Sequence, residues 1–464
     1  MDGILHNRLC PILGRIGPEM SKSSVGLLVC AAFEELSARD VTYCVVGRTD
    51  TLPDHLRSDV DVVLMPRDFA RLRSLMSSVS ERVNGRIVQC LRHEVVAHYY
   101  VIAIRTNDGQ YLYLSLDSCS NYMRGGRLLL TAQEILVGRR KAVGSLGEEK
   151  CFFVASPPME FIYYLLKKVD KKSLSNDQEK HLSSVFRQAP VQAQEQVGRF
   201  FGSEATTRIV HAAASGEWVW VQQNIAVLQA DLWRKAAIPR RNGLLREAAR
   251  WISRIVYPTG IHVVILGPDG SGKSSVAKLL AASVSPLFRR AMVCHLFPPF
   301  LRATPQSSPI ERPHEVRPRG WATSILKLLY WYYRYAVGWL TWVYPAEVRS
   351  TLVLFDRYYH DLLVDPKRYR YGAPIWMARL LGRLIPKPDL WVVLDAPPEV
   401  LQQRKQEVPF GETARQGDAY RRLAGQLRDV VLVDAAQSLN KVVADVTDAI
   451  VECMAERMRK RLKQ

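Results

Sequence analysis

Gly267-Pro268-Asp269-Gly270-Ser271-Gly272-Lys273-Ser274 fits the pattern G-x-x-x-x-G-K-[ST], and its flanks decide how it is read. Upstream, Ile261 to Leu266 is a short apolar run with the length of a buried strand. Downstream, Ser275 to Ala282 opens a helix. Glycines in such a turn let the backbone bend until several N–H groups face one anion. The helix that follows directs its positive end at the same point. Strand, loop, lysine, serine and helix therefore agree on a phosphate-binding loop. Gly267, Asp269, Gly270, Ser271, Gly272, Lys273, Ser274 and Ser275 are its expected ATP-contacting residues. Lys273 is placed to reach the β- and γ-phosphates, and the Ser274 hydroxyl to ligate Mg²⁺.

Around this loop lie 464 residues, too many for one ordinary core. A hydrophobic fraction of 48% excludes a disordered chain. The net charge of +19, from 64 basic and 45 acidic residues, suits a partner bearing phosphate. The basic residues are spread along the chain, which favours a small nucleotide or phosphorylated substrate over nucleic acid. None of the eight cysteines forms a C-x-x-C pair or a zinc spacing, so all are expected to be reduced thiols of a cytoplasmic protein. Met1 to Met20 lacks the apolar centre of a signal peptide. Ala322 to Tyr344 is apolar, aromatic and long enough to span a bilayer. Lys327 and Arg334 inside it are costly in lipid, so a buried helix lining a phosphate site is expected instead.

The first 150 residues read as α+β: a helix over 22–38, strands over 42–46 and 59–64, a helix over 66–80, and strands over 87–105 and 110–116. Asp108-Gly109 is a hairpin signal. Residues 151–257 read as a helical segment and linker. Within it, Arg246, Arg250 and Arg254 share a helical face, expected to be solvated, with a membrane surface or nucleic acid as the sharper alternative. Lys167, Lys168, Lys171 and Lys172 are expected to form a solvated cluster, with nucleotide phosphates as the alternative contact. From 258 to 464, strands and helices alternate, which predicts a parallel sheet with helices on both faces. The tail from Arg457 to Gln464 reads as a solvated basic helix. The fold class is thus α/β, preceded by an α+β unit and a helical segment.

Three further runs follow the loop. Ala291 to Pro298 is a strand entering a proline-rich stretch. Thr351 to Tyr358 is a strand ending in Asp356-Arg357-Tyr358. Asp389 to Glu399 is a strand ending in Leu394-Asp395-Ala396-Pro397-Pro398-Glu399. With these features, residues 260–455 resemble the thymidylate kinase family of P-loop nucleoside-monophosphate kinases. The resemblance implies a role for each matching position. Asp356 holds Mg²⁺-bound water or the acceptor, Arg357 binds the acceptor phosphate, and Asp269 faces the acceptor's sugar. Tyr330 and Arg334 lie near the base. Gly270 stands where some relatives carry an arginine, so the transition-state cation falls to Arg404, Lys405 or Arg415. Asp361 replaces an expected serine, and Lys367-Arg368-Tyr369-Arg370-Tyr371 replaces the base-contacting loop, so the acceptor is left as a nucleoside monophosphate, a sugar phosphate or another phosphorylated molecule.

Asp59 and Asp61 alternate onto one face of a strand, and Asp117 ends another. Three converging carboxylates are what Mg²⁺ ions need to activate a hydroxyl and stabilise departing pyrophosphate. This resembles the polymerase-β type of nucleotidyltransferase over residues 25–125, although Gly47-Arg48 stands where the family has Gly-Gly or Gly-Ser. The expected protein is an ATP- and Mg²⁺-dependent kinase fused to a nucleotidyltransferase-like unit. The alternatives are a nucleotide-binding regulatory protein with little turnover, and a nucleotidyltransferase acting on a sugar phosphate or macromolecule with the kinase-like half as sensor.

Overall fold

The computed structural model describes residues 22–56, 59–94, 96–106, 109–124, 127–144, 147–235, 241–299, 317–406 and 408–463. The stretch Met1 to Met20, Cys10, Asp108, Pro239 and residues 300–316 of the proline-rich stretch lie outside them. The N-terminal strands are β1 (Tyr43–Val46), β2 (Val60–Leu64), β3 (Gly85–Glu94), β4 (Ala97–Arg105) and β5 (Tyr111–Cys119). A small ribbon follows, β6 (Asn121–Arg124) with β7 (Arg127–Thr131), and then β8 (Arg140–Val143) and β9 (Glu149–Val154). Seven of them form one mixed sheet in the order β3-β4-β5-β2-β1-β9-β8. β9 runs across residue 150 and lies parallel to β1, so the sheet extends past the point where the sequence changes character.

The strands over 87–105 are two, β3 and β4, and the hairpin from β4 to β5 is present: Gly109 takes φ +80° and its N–H donates to Thr106 O at 2.9 Å. The helix expected over 66–80 is broken at Arg71 into Pro66–Ala70 and Leu72–Arg82. The break is pinned by Asp68, whose buried carboxylate accepts from the Thr42 N–H at 3.0 Å and from Arg71 at 3.0 Å.

Helices Lys22–Ala38 and Leu72–Arg82 cover one face of this sheet, burying Phe33, Leu36, Leu75 and Val79 against Tyr43, Val62 and Ile102. The other face is covered by helix Pro157–Lys171 and the helices after it. Their apolar cluster runs from Cys44, Val46 and Val63 to Ile162, Leu166, Val197 and Trp218. The helical segment therefore shares a core with the N-terminal sheet. Helix Lys22–Ala38 also brings Cys30 against β9, where it forms a disulfide with Cys151, Cα–Cα 5.4 Å. This corrects the expectation that every cysteine is a free thiol. Cys44, Cys90, Cys119, Cys294 and Cys453 are free.

Strands β10 (Ile261–Leu266), β11 (Arg290–His295), β12 (Thr351–Asp356), β13 (Leu390–Asp395) and β14 (Val430–Asp434) form a second, all-parallel sheet of five strands in the order β11-β12-β10-β13-β14. This is the expected α/β arrangement. β10 and β12 are buried at every residue, because helices lie on both faces. The strand order reverses at β10, and the crevice at the carboxyl ends of such strands is where ligands of open α/β sheets bind. Helices Lys273–Ser283 and Leu439–Lys463 pack on one face. Their cluster also takes in Val88, Val101 and Ala103 of the N-terminal sheet. Ion pairs from Arg105 to Asp448 at 2.8 Å and from Arg86 to Glu452 border that contact.

Helix Trp321–Gly338 continues through a π-turn, Trp339–Val343, into Tyr344–Val348. It buries Leu328, Trp331 and Tyr335. Among the described residues, no helix is long and apolar enough to cross a membrane. Lys327 donates to Tyr369 O at 2.5 Å, and the Arg334 guanidinium lies 4.0 Å over the Phe297 ring. Burial, then neighbouring Arg319 and Arg370, lower the Lys327 ammonium to about 8.

His262 on β10 is fully buried among the rings of Phe355 and Tyr358, and neither ring nitrogen has a hydrogen-bond partner. Burial lowers it from 6.5 to about 3. Its neutral form is kept in the fold, whereas the unfolded chain takes up a proton below about pH 6.5. The stability it contributes is therefore complete above that pH and is lost as pH falls toward about 3. The expected result is a urea midpoint that drops between pH 7 and pH 5, and drops less in His262→Phe.

Candidate active site

The phosphate loop leaves β10 at Gly267, whose φ is +149°. A Cβ there would sit 2.6 Å from Leu394 O of β13, so the loop passes too close to the neighbouring strand for any side chain. Gly267→Ala should cost about 1–3 kcal/mol of stability, measurable by denaturant unfolding, together with loss of nucleotide binding. Gly270 has φ +86°, and its Cβ would meet Leu401 O of helix Pro398–Arg404 at 2.8 Å. That contact explains why an arginine is not accommodated at this position.

Lys273 opens helix Lys273–Ser283 and is buried. Its ammonium donates to the carbonyls of Gly267 at 2.8 Å and Pro268 at 2.7 Å and lies 3.9 Å from the Asp269 carboxylate. Burial, then adjacent Arg357, lower it to about 8. The register of β10 with β12 sets Ile265 beside Asp356 and brings the two strand ends together. There the Ser274 hydroxyl donates to Asp356 Oδ2 at 2.5 Å. Asp356 Oδ1 is buried and has no hydrogen-bond partner. A carboxylate oxygen left in that condition beside a serine hydroxyl fits a hard divalent cation such as Mg²⁺.

Arg357 takes a left-handed backbone, φ +76°, with its N–H donating to Ile265 O at 3.2 Å. Its guanidinium pairs with Asp269 and, at 3.4 Å, with Asp361. Although burial opposes the charge, Asp361 and Asp269 raise the guanidinium further above its ordinary value. Asp361 is itself buried and accepts from Tyr420 Oη at 2.9 Å. Arg368, from the basic-aromatic loop, also pairs with Asp269. Two arginines thus converge on one carboxylate beside Lys273.

The other sequence-predicted residues lie apart from this cluster. Arg404 donates to the carbonyls of Ala435 at 2.7 Å and Ala436 at 3.4 Å, tying helix Pro398–Arg404 to the end of β14. Arg415 is held by Glu412 at 2.6 Å and by Val364 O at 3.1 Å. Tyr330 is half exposed and faces Arg334 one turn away, and Arg334 stacks on Phe297. Lys405 has its Cβ 3.5 Å from the position a Cβ on Gly270 would occupy.

The second constellation assembles as expected. β2 and β5 are parallel with Asp61 opposite Asp117, and Asp59 immediately precedes β2. One oxygen from each of Asp59, Asp61 and Asp117 lies within 4.8 Å of the others. Burial, then the charge of Asp61, raise the Asp117 carboxyl to about 7. That repulsion is what a bound cation relieves, and three oxygen ligands match Mg²⁺.

Lys167 reaches Asp61 at 2.5 Å from helix Pro157–Lys171. Lys171 and Lys172 are exposed, as expected of a solvated cluster, whereas Lys167 and Lys168 are partly buried; Lys167, Lys168 and Lys171 line a cavity of about 330 Å³ together with Gly47, Asp59 and Asp61. Burial, then the like charges of Lys171 and Lys167, lower Lys168 to about 8. The helix face was readable in the sequence, but its approach to β2 was not. A further cavity of about 360 Å³ lies on the Asp59–Asp117 side, walled by Tyr99 and Arg124 and by Arg289 and Ser350 of the P-loop half. Nothing in the sequence around Arg289 marks it, because its position depends on how the two halves pack. Comparison of the chain with models of known protein families finds no match.

Proposed function

We propose that the chain is an ATP- and Mg²⁺-dependent phosphotransferase, similar to thymidylate kinases, that transfers a γ-phosphoryl group to a phosphorylated acceptor. The carrying observation is the buried cluster at the reversal point of the parallel sheet, where Lys273, the Ser274–Asp356 pair and the Arg357–Asp269–Arg368 group meet. Phosphoryl transfer needs positioning and charge neutralisation rather than a covalent partner, and these groups supply both. Lys273 is already dehydrated and exchanges two loop carbonyls for donor phosphate oxygens. Ser274 and Asp356 would hold Mg²⁺, which neutralises charge on the phosphates. Arg357 and Arg368 present two guanidiniums, suited to bidentate contacts with an acceptor phosphate. Phe297, Trp331 and Tyr369 pack ring against ring, and the acceptor we propose is a nucleoside monophosphate, a sugar phosphate or another phosphorylated molecule.

The test is incubation with ATP, Mg²⁺ and a panel of nucleoside monophosphates and sugar phosphates, with ADP and pyrophosphate followed separately. ADP release stimulated by one acceptor supports the reading. Tight ATP binding without either product would instead make the P-loop half a regulatory nucleotide sensor.

A second activity, nucleotidyl transfer, is supported by the Asp59–Asp61–Asp117 group and the lysine-lined cavity beside it. Mg²⁺ held there would assist hydroxyl attack on an α-phosphate, and Lys167, Lys168 and Lys171 would bind the departing pyrophosphate. Cytoplasmic residence and nucleotide or phosphorylated small molecules as partners belong to the same proposal.

A further inference from the structure

The basic face expected to be solvated on helix Arg241–Val256 is partly enclosed. Arg250 is buried, and it lines a cavity with Arg254 and with Arg461 of the tail, which corrects the expectation for both segments. A face open to solvent lies instead on the P-loop half. Helix Trp321–Gly338 buries Leu328, Trp331 and Tyr335, and the neighbouring helix Ile375–Gly382 buries Ala378. All four belong to one apolar cluster with Val264, Val353 and Trp391 of the parallel sheet. The two helices therefore lie on the same side of that sheet and turn their outer sides away from it.

Those outer sides are apolar. Leu326, Leu329 and Tyr330 fall opposite the buried residues of the first helix, with Trp321 at its start. Trp376, Leu380 and Leu384 recur every fourth residue along the second and just past its end. The tryptophans and leucines among them are between 52% and 67% exposed. Exposed apolar residues gathered on adjacent elements mark an interaction surface, whereas single ones do not.

Charge selects the partner. Residues 317–346 and 366–388 carry four and six lysines or arginines and no aspartate or glutamate. Arg379, Arg383 and Lys387 are exposed and also recur every fourth residue, in a row beside Trp376, Leu380 and Leu384. Arg317 and Arg319 are exposed just before Trp321. Glu347, Asp361 and Asp365, which adjoin these stretches, are buried. On helix Phe410–Ala424, which packs on the same cluster, Glu412 pairs with Arg415 and Asp418 with Arg421.

A second copy of the chain suits this face poorly, because a two-fold interface sets a patch against itself and would oppose rows of like charge. Nucleic acid would satisfy the cations and leave the leucines in water. An anionic lipid surface accepts both. Leucines enter the acyl boundary, tryptophan and tyrosine sit at headgroup level, and arginine and lysine meet the lipid phosphates. We propose that this two-helix face docks the P-loop half on an anionic lipid bilayer, lying on it without crossing it. The same helix holds the basic-aromatic loop, through the Lys327 bond to Tyr369 O at 2.5 Å, so docking brings that loop to the bilayer. The docking depends on neither catalytic reading.

The test sediments the full-length chain with vesicles of phosphatidylcholine alone and of phosphatidylcholine with phosphatidylglycerol. The expected result is saturable capture by the anionic vesicles only, weakened by rising salt. Arg379→Glu with Arg383→Glu, and separately Trp376→Ser with Leu380→Ser, should each weaken capture about tenfold or more. All four side chains are exposed, so the circular dichroism spectrum should be unchanged. Brominated acyl chains should quench the tryptophan fluorescence of the parent, and less so that of the Trp376→Ser variant. No capture by anionic vesicles, or capture indifferent to both pairs of substitutions, overturns the proposal. Self-association in analytical ultracentrifugation that Trp376→Ser with Leu380→Ser abolishes, without capture by vesicles, also overturns it and assigns the face to a second copy.

Discussion

Lys273→Ala is expected to abolish acceptor-stimulated ADP release, with a loss of kcat of at least roughly a hundredfold. The lysine is buried and already lowered to about 8, so its ammonium interacts in a medium that screens weakly. Removing it leaves the Gly267 and Pro268 carbonyls that it now bridges facing the donor phosphates. Repulsion then replaces attraction, which is why the effect should exceed that of losing a surface cation. Asp356→Asn should lower the rate comparably and raise the Mg²⁺ concentration needed for half-maximal rate, because the amide is a weaker cation ligand beside Ser274. Arg368→Ala should act differently. It leaves the donor side untouched, so KM for the phosphorylated acceptor should rise while KM for ATP stays constant. A parallel rise in both would place Arg368 in structural support of Asp269. Unchanged ADP release in Lys273→Ala would remove the kinase reading altogether.

The second large effect falls on pyrophosphate. Asp61→Asn should lower nucleotidyl transfer on the order of a hundredfold to a thousandfold and leave ADP release intact. Asp61 is the shared element of its site. It lies opposite Asp117 in the strand register, contacts Lys167 at 2.5 Å, and contributes the main charge raising Asp117. Neutralising it releases Lys167 and lowers Asp117 toward ordinary carboxylate behaviour, so the substitution reorganises the site as well as removing a ligand. Lys167→Ala separates these effects: Asp61 is retained, and only the cation on the departing-group side is lost. If Asp61→Asn left pyrophosphate release unchanged, the three carboxylates would be an acidic surface of an inactive unit.

Some of this was readable residue by residue. The phosphate loop, its flanking strand and helix, and the acidic strand ends are local patterns, since a few consecutive residues dictate both the turn and the direction of the side chains. Asp59 and Asp61 share a face because strand alternation requires it, and Asp356 ends a buried strand because apolar residues precede it. The helix expected to be buried around Lys327 and Arg334 buries only one face, with Leu328, Trp331 and Tyr335, and leaves Trp321, Leu326, Leu329 and Tyr333 exposed.

Other features depend on distance in the chain. Arg368 reaches Asp269 across 99 positions, Lys167 reaches Asp61 across 106, and Cys30 meets Cys151 across 121. Arg404 finds the Ala435 and Ala436 carbonyls, and Arg415 the Val364 carbonyl, on neighbouring elements that no local pattern announces, whereas the Arg415–Glu412 pair lies within one helix. The solvated faces expected at Arg250 and Arg461 became the wall of a cavity once the two halves packed through Val88, Val101 and Ala103. The phosphate loop, the strand-end acids and the α/β alternation were legible from the residues alone, because these arise from backbone geometry and side-chain periodicity over short spans. The tertiary structure alone decided which charges meet, because long, flexible cationic side chains take their partners from whichever surfaces the buried apolar faces bring together.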